Sequence, residues 1–292
     1  MKPLSASDFR AHRLVLEDSD FLIAPGNCPG PTNLIRQATW ESIVSLPDDV
    51  SIRTSDQFGP ELEQMWEYWG TWGRVVLAIQ ELSSRPAELP TAVAGCDAAD
   101  EFQAATYCAL VGYYRLAFSC LRNVVEQITI GTRLAVSTDA KSFADWRNGD
   151  ERIGFGWAAD TITKSRQVRA LERHVKATVA DSLFAQTPKG VARRLFAQLS
   201  KCTHGAAGFA DADFRESNGP IFVPETFLTW RVAALKTYAV ALHELRIAHA
   251  LKALPYSPPL ITCDAFRRGV VANIPSDDRD LPLLHSLENF WR

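Results

Sequence analysis

The sequence predicts an all-α protein, and two observations carry that prediction. Long stretches of the chain repeat apolar residues at the 3.6-residue spacing of an amphipathic helix. Strand-like runs are few and short, since only 260–263 and 269–271 qualify. We therefore expect an antiparallel helical bundle arranged around a long central helix.

The central helix is predicted over about 97–136, where apolar residues form a wide face at helical spacing. A helix after Pro60 is marked by apolar residues at the same spacing, and Pro86 and Pro90 end it. The predicted helices besides the central one run over about 32–46, within the N-terminal extension, and over 61–82, 160–182, 188–204 and 224–254.

Three regions follow from this pattern. Residues 1–60 contain turn-forming segments such as 24–31, so we expect an irregular N-terminal extension packed on the core. Residues 61–254 are expected to form the helical bundle domain. Residues 255–292 are rich in proline and are expected to be an irregular C-terminal tail.

Composition limits the function classes. The chain has 292 residues, with 47% hydrophobic and 22% charged residues, which is typical of a globular protein. A net charge of −3 lacks the basic excess of proteins that bind duplex DNA non-specifically, so duplex DNA is not an expected partner. No run of eighteen apolar residues and no apolar leader is present, so we expect no membrane span and a cytoplasmic location.

A polar stripe runs along the predicted central helix. Its members are spaced by three or four residues and therefore share one face. They are Arg115, Ser119, Arg122, Glu126 and Thr129. In one interpretation the stripe faces solvent and Arg122 forms an ordinary ion pair with Glu126. In the other it lines a partly buried cleft, where an arginine binds a phosphate or carboxylate.

A second group of candidates lies on the predicted helix 188–204. Ser200 and His204 are four residues apart and share a face, and Arg194 precedes them. A histidine in the last helical turn is stabilised as a cation and acts as a general acid or base near neutral pH. The alternative is a structural histidine that caps the helix. A Gly-x-Ser-x-Gly elbow is absent, which argues against a serine hydrolase.

An alternative pair, Arg169 and His174, lies in the most basic run of the chain, whose simpler interpretation is a solvated helix face. The sequence contains no His-Glu-x-x-His, no Ca²⁺ loop, no Walker loop and no Gly-x-Gly-x-x-Gly. We therefore predict neither a metal nor a cofactor.

The segments 113–126 (Tyr-Tyr-Arg, Leu-Arg-Asn and Glu) and 199–205 (Leu-Ser-Lys and His-Gly) together resemble uncharacterised bacterial proteins related to the HEPN superfamily. The resemblance covers about residues 100–250. It implies a small helical bundle of the kind found in bacterial toxin, stress and anti-phage defence systems. Many HEPN domains are metal-independent ribonucleases and others are non-catalytic.

The typical HEPN motif is an arginine, a polar residue, three to five arbitrary residues and a histidine, usually presented at a dimer interface. This chain departs from it. No histidine follows Arg122 on its own helix, and Ala170 stands at the polar position after Arg169. Arg194 and His204 are ten positions apart. The resemblance therefore implies fold and biological setting more directly than activity.

Two hypotheses remain. The first is a non-catalytic interaction or sensor module of a bacterial stress or anti-phage defence system, which binds a protein partner or a second copy of itself. The second is a metal-independent HEPN-like ribonuclease. In that chemistry His204 takes the proton from the RNA 2′-hydroxyl and Arg122 stabilises the charged transition state. Glu126 orients one of them, while Arg194 and Ser200 are supporting residues.

Overall fold

The computed structural model describes residues 41–81, 90–137, 140–203, 220–252, 269–287 and 290. Within these ranges the chain forms ten α-helices and no β-strand, which confirms the all-α prediction. In chain order the helices are α1 Leu46–Glu81, α2 Pro90–Leu110, α3 Tyr114–Ser137, α4 Ala140–Asn148, α5 Phe155–Lys164, α6 Arg166–Val175, α7 Val179–Phe184, α8 Val191–Thr203, α9 Pro224–Lys252 and α10 Leu281–Leu287. None of them is long and apolar enough to cross a membrane.

The predicted central helix over 97–136 is wrong, because the chain reverses within it. Gly112 adopts a left-handed conformation with φ +81°, and it separates α2 from α3. The hydroxyl of Thr91 at the start of α2 donates a hydrogen bond to the carbonyl of Gly131 near the end of α3, so the two helices are antiparallel. The apolar spacing continues across the turn because both helices bury a face in the same core.

Helix α1 begins earlier than predicted. Residues 46–60 were expected to be irregular, yet they form the first part of α1. The helix bends at Phe58, which has non-helical dihedral angles two residues before Pro60. Phe58 is buried and stacks on Phe227 of α9 with ring centroids 4.4 Å apart, so packing holds the bend in place. Residues 1–40 lie outside the described residues.

The single helix predicted over 160–182 is three helices, α5, α6 and α7. Ser165 ends α5 and caps α6, accepting a hydrogen bond from the backbone N–H of Val168. Lys176 ends α6 in a left-handed conformation with φ 54°. In the tail, 281–287 forms α10, and 269–271 forms helical turns rather than a strand. The other candidate strand, 260–263, lies outside the described residues.

Helix α9 is the core helix of the bundle. The sequence predicted it over 224–254, and the structure has Pro224–Lys252. Every residue from 233 to 250 is buried, because α9 contacts α1, α2, α3, α6 and α8. A helix enclosed on all sides normally carries apolar side chains. Its buried charged and histidine side chains are Lys236, His243, Glu244, Arg246 and His249.

Candidate functional site

Arg122 is the centre of a polar cluster between α3 and α8. Its Nη1 lies 2.9 Å from Oε2 of Glu126, and its Nε donates a hydrogen bond of 3.3 Å to Oγ of Ser200. The guanidinium carbon lies 4.7 Å from the ring centroid of Phe196. The structure therefore brings together three of the residues that the sequence singled out, and it adds an aromatic wall.

This cluster is half-buried. The side chains of Arg122 and Glu126 are 21% and 27% exposed, so the polar stripe of α3 is neither fully solvated nor enclosed. Ser200 also donates a hydrogen bond to the carbonyl of Phe196, which fixes its hydroxyl in the last turns of α8. A phosphate approaching Arg122 has to compete with the carboxylate of Glu126.

Arg194 does not join the Arg122 cluster. Its Nε lies 2.5 Å from Oδ1 of Asp280, the residue immediately before α10. Asp280 is fully buried and is also bound by Lys236, whose Nζ lies 2.9 Å from Oδ2. The same Nζ lies 2.6 Å from Asp278. Arg194 therefore belongs to a charge cluster in which two cations face two carboxylates.

Arg169, of the alternative pair Arg169 and His174, is bound by two carboxylates. Arg169 binds both oxygens of Asp181 at 2.8 and 2.9 Å and also binds Glu172 at 2.8 Å. This hydrogen bonding lowers the pKa of the Asp181 carboxyl and raises that of Arg169. Glu172 in turn accepts a hydrogen bond from the backbone N–H of Ala180 in α7. Arg169 and Glu172 therefore connect α6 to α7. His174 is exposed in the last turn of α6.

His204 lies outside the described residues, which on this helix end at Thr203. Its role as a general acid or base stays a prediction. Among the residues that the structure does describe, no group of three or more His, Cys, Asp or Glu side chains is arranged to hold a metal ion.

Sequence reasoning missed the titratable residues buried on α9. Glu244 is fully buried and accepts a hydrogen bond of 2.9 Å from Thr129, the last residue of the polar stripe. Burial raises the pKa of the Glu244 carboxyl well above its ordinary value. His243 faces another side, and its Nδ1 donates a hydrogen bond to the carbonyl of Ala239 at 2.6 Å. Burial lowers the pKa of His243 to about 4. Charged and histidine residues within an otherwise apolar helix were the available signal.

An open apolar cleft lies between α1 and α2. Its volume is about 360 Å³, within the range of ligand and partner sites. Trp66 and Trp69 stack there with ring centroids 4.8 Å apart. Trp66 is 57% exposed and Tyr107 is 62% exposed. The residues that line the cleft are all uncharged: Ser55, Leu62, Met65, Trp66, Trp69, Gln103, Thr106, Tyr107 and Leu110.

Comparison with known proteins found no match to the chain among protein-family models, curated proteins or solved structures.

Proposed function

We propose that this protein is a non-catalytic helical interaction module, and that the cleft between α1 and α2 binds a protein partner. The observation that carries the proposal is the aromatic, uncharged lining of an open cleft. Tryptophan, tyrosine and methionine are enriched at interface cores and dominate binding energy there. Trp66 and Tyr107 are more than half exposed, so their apolar area is available to a partner.

The exposed apolar surface extends beyond the cleft, which favours a partner helix over a small molecule. Leu77 is 58% exposed and follows Trp66 by eleven residues on α1, three helical turns along the same side. That separation is about 16 Å at 1.5 Å per residue. The apolar face of an amphipathic helix of about three turns matches such a row.

The arginines of the candidate catalytic set support the non-catalytic proposal. Arg122 is bound by Glu126, Arg194 by Asp280 and Arg169 by Asp181. Each cation already has a carboxylate partner in the chain, so binding an RNA phosphate requires breaking an internal ion pair. The HEPN resemblance supports a bacterial stress or anti-phage defence system, in the cytoplasm, as the setting of this module.

One observation favours the alternative function, a metal-independent ribonuclease. The hydrogen bond between Arg122 and Ser200 places the polar stripe of α3 beside the end of α8. Ser200 precedes His204 by four residues in the sequence. In this alternative, His204 removes the 2′-hydroxyl proton of RNA and Arg122 leaves Glu126 to stabilise the phosphorane-like transition state.

Cleavage of total cellular RNA in EDTA separates the two functions. We compare the wild type with Arg122→Gln and His204→Ala, each first checked for a cooperative unfolding transition. Intact RNA with all three proteins is the expected result. Cleavage by the wild type that both folded variants lose would establish the ribonuclease and reject the non-catalytic proposal.

The cleft is tested by site-specific photocrosslinking in cells. A benzoylphenylalanine replaces Tyr107, and the matched control replaces Leu116, which is 54% exposed on α3. We expect adducts from position 107 that map by mass spectrometry to one amphipathic helix of a partner, and none from position 116. A synthetic peptide of that helix should then bind the wild type and lose at least tenfold in affinity with Trp66→Ala. Adducts that map to this chain would instead indicate a homodimer, and equal adducts at both positions would reject the cleft.

A further inference from the structure

Arg133, on the same side of α3 as Arg122, is buried without an anionic partner among the residues that the structure describes. The residue is only 6% exposed. Its Nε and Nη1 are enclosed and donate no hydrogen bond. No ion pair of Arg133 is found among the described residues, although other cations there have carboxylates, as Lys236 has Asp278 and Asp280.

An unpaired buried guanidinium needs an explanation, because an arginine stays protonated in proteins. Burial removes water from the charge, and without a partner this is strongly unfavourable. The contact that Arg133 does make is with the ring of Trp157, whose centroid lies 4.0 Å from the guanidinium carbon. A cation–π contact offsets only part of the lost hydration.

The N-terminus of α5, where Trp157 lies, is a second feature that favours binding of an anion. Trp157 is the third residue of α5, a helix of ten residues whose N-cap, Gly154, provides no side-chain hydrogen bond. The first N–H groups of a helix have no partner within it, and they carry partial positive charge. Because Cα–Cβ bonds tilt toward the N-terminus of a helix, the indole lies over this end of α5.

We propose that Arg133 and the uncapped first turn of α5 form an oxyanion-binding site, which takes the carboxylate or phosphate group of a small ligand. The side chain of Trp157 is the outer wall of the site, and the residue is 50% exposed. The indole covers one face of the guanidinium, whose carbon lies 4.0 Å from the ring centroid. Both kinds of oxyanion bind to arginine and to helix N-termini.

The Arg133 site is separate from the Arg122 cluster and from the apolar cleft. Arg133 follows Arg122 by eleven residues, which is about 16 Å along α3. The proposed site is formed by α3 and α5, whereas the apolar cleft lies between α1 and α2. The oxyanion site therefore stands whether or not a partner helix binds that cleft.

Thermal unfolding at constant ionic strength tests the site, with chloride replaced in turn by inorganic phosphate and by acetate. A ligand that binds only the native state raises its Tm. For the wild type we expect a rise of about 2–4 °C in at least one of the two oxyanions, and the larger rise identifies the preferred group. Arg133→Met should lose this rise, while the control Arg147→Met, which removes a half-exposed guanidinium paired with Asp97, should keep it.

The Tm values measured in chloride alone provide an independent test. Since Arg133→Met removes an uncompensated buried charge, we expect its Tm in chloride to equal or exceed that of the wild type. An unchanged wild-type Tm in both oxyanions, a rise retained by Arg133→Met, or a lower Tm of Arg133→Met in chloride would each overturn the proposal. If Arg133→Met does not fold, Arg133→Lys decides: at least tenfold weaker binding of the preferred oxyanion supports the site, and unchanged binding rejects it.

Discussion

The Nζ of Lys236 on α9 lies 2.9 Å from Oδ2 of Asp280, and both side chains are almost completely removed from solvent. Arg194 of α8 binds the other oxygen of the same carboxylate. Asp280 immediately precedes α10, so this one carboxylate joins three helices. Buried ion pairs of this kind are costly to break, because the remaining charge keeps no solvent.

We therefore predict that Asp280→Asn is strongly destabilising. Loss of the charge leaves Arg194 without its carboxylate and Lys236 with Asp278 alone, and we expect a loss of about 3–5 kcal/mol in the free energy of unfolding. Urea unfolding followed by circular dichroism measures it. The matched control is Asp181→Asn, whose ion pair with Arg169 is half-exposed and should cost about 1 kcal/mol or less. Equal losses in the two variants would contradict the role of Asp280.

His243 predicts a loss of stability in mild acid. Its pKa is about 4 in the folded protein, where burial disfavours the charged form, against an ordinary value of 6.5. The unfolded chain therefore binds a proton that the native state does not, so stability falls as the pH falls from 6.5 to 4. We expect a contribution of roughly 3 kcal/mol over this window.

Measuring the free energy of unfolding between pH 4 and 7 checks this. His243→Gln should flatten the curve, while His174→Gln, at an exposed position, should leave it unchanged. Part of the pH dependence of the free energy of unfolding should remain in His243→Gln, because burial and the nearby Arg246 also lower the pKa of His249. A slope that is identical in His243→Gln and the wild type would show that His243 titrates normally.

Glu244 changes the stability with pH in the opposite direction to His243. Its folded pKa is raised above 4.5 by burial, so the native carboxyl holds a proton that the unfolded chain releases as the pH rises. The stability associated with the neutral form is present below pH 4.5 and is lost above it. We expect Glu244→Gln to raise the free energy of unfolding at pH 8 and to change it little at pH 4.

The glutamine side chain keeps an oxygen that accepts the hydrogen bond from Thr129. Glu126→Gln is the comparison variant, since it weakens the ion pair with Arg122 and should lower stability at pH 8. A decrease for Glu244→Gln at pH 8 would mean that the buried carboxylate is ionised and stabilised in a way that this structure does not show.

Gly112 and Gly149 form a matched pair for testing the turn between α2 and α3. Both have φ +81°, but a Cβ on Gly112 would lie 2.3 Å from the carbonyl oxygen of Ile221, while a Cβ on Gly149 would meet nothing within 4 Å. Gly149→Ala should cost about 1 kcal/mol from backbone strain alone. Gly112→Ala should cost at least about 2 kcal/mol more, because backbone must also move. Thermal unfolding of both variants measures the difference, and similar costs would show that the close approach to Ile221 is not required.

Helical spacing was informative where contacts are local. It predicted α9 nearly to its ends, and one of the two interpretations of the polar stripe included the ion pair of Arg122 with Glu126, because residues four apart on a helix are neighbours. It failed at Gly112, since two antiparallel helices that bury the same core carry an uninterrupted apolar pattern. It also failed at Pro60, where packing of Phe58 keeps both sides of the bend helical.

The sequence by itself determined the all-α class, the helical segment that became α9 and the shared face of the polar residues on α3. Only the tertiary structure decided which distant groups meet. Arg122 meets Ser200 across 78 positions, and Arg194 meets Asp280 across 86. Arg133 came to lie against Trp157, with no carboxylate partner in the described part of the chain. The physical reason is that local spacing sets which side of a helix a residue occupies, whereas the burial and partners of that side depend on how separate helices pack.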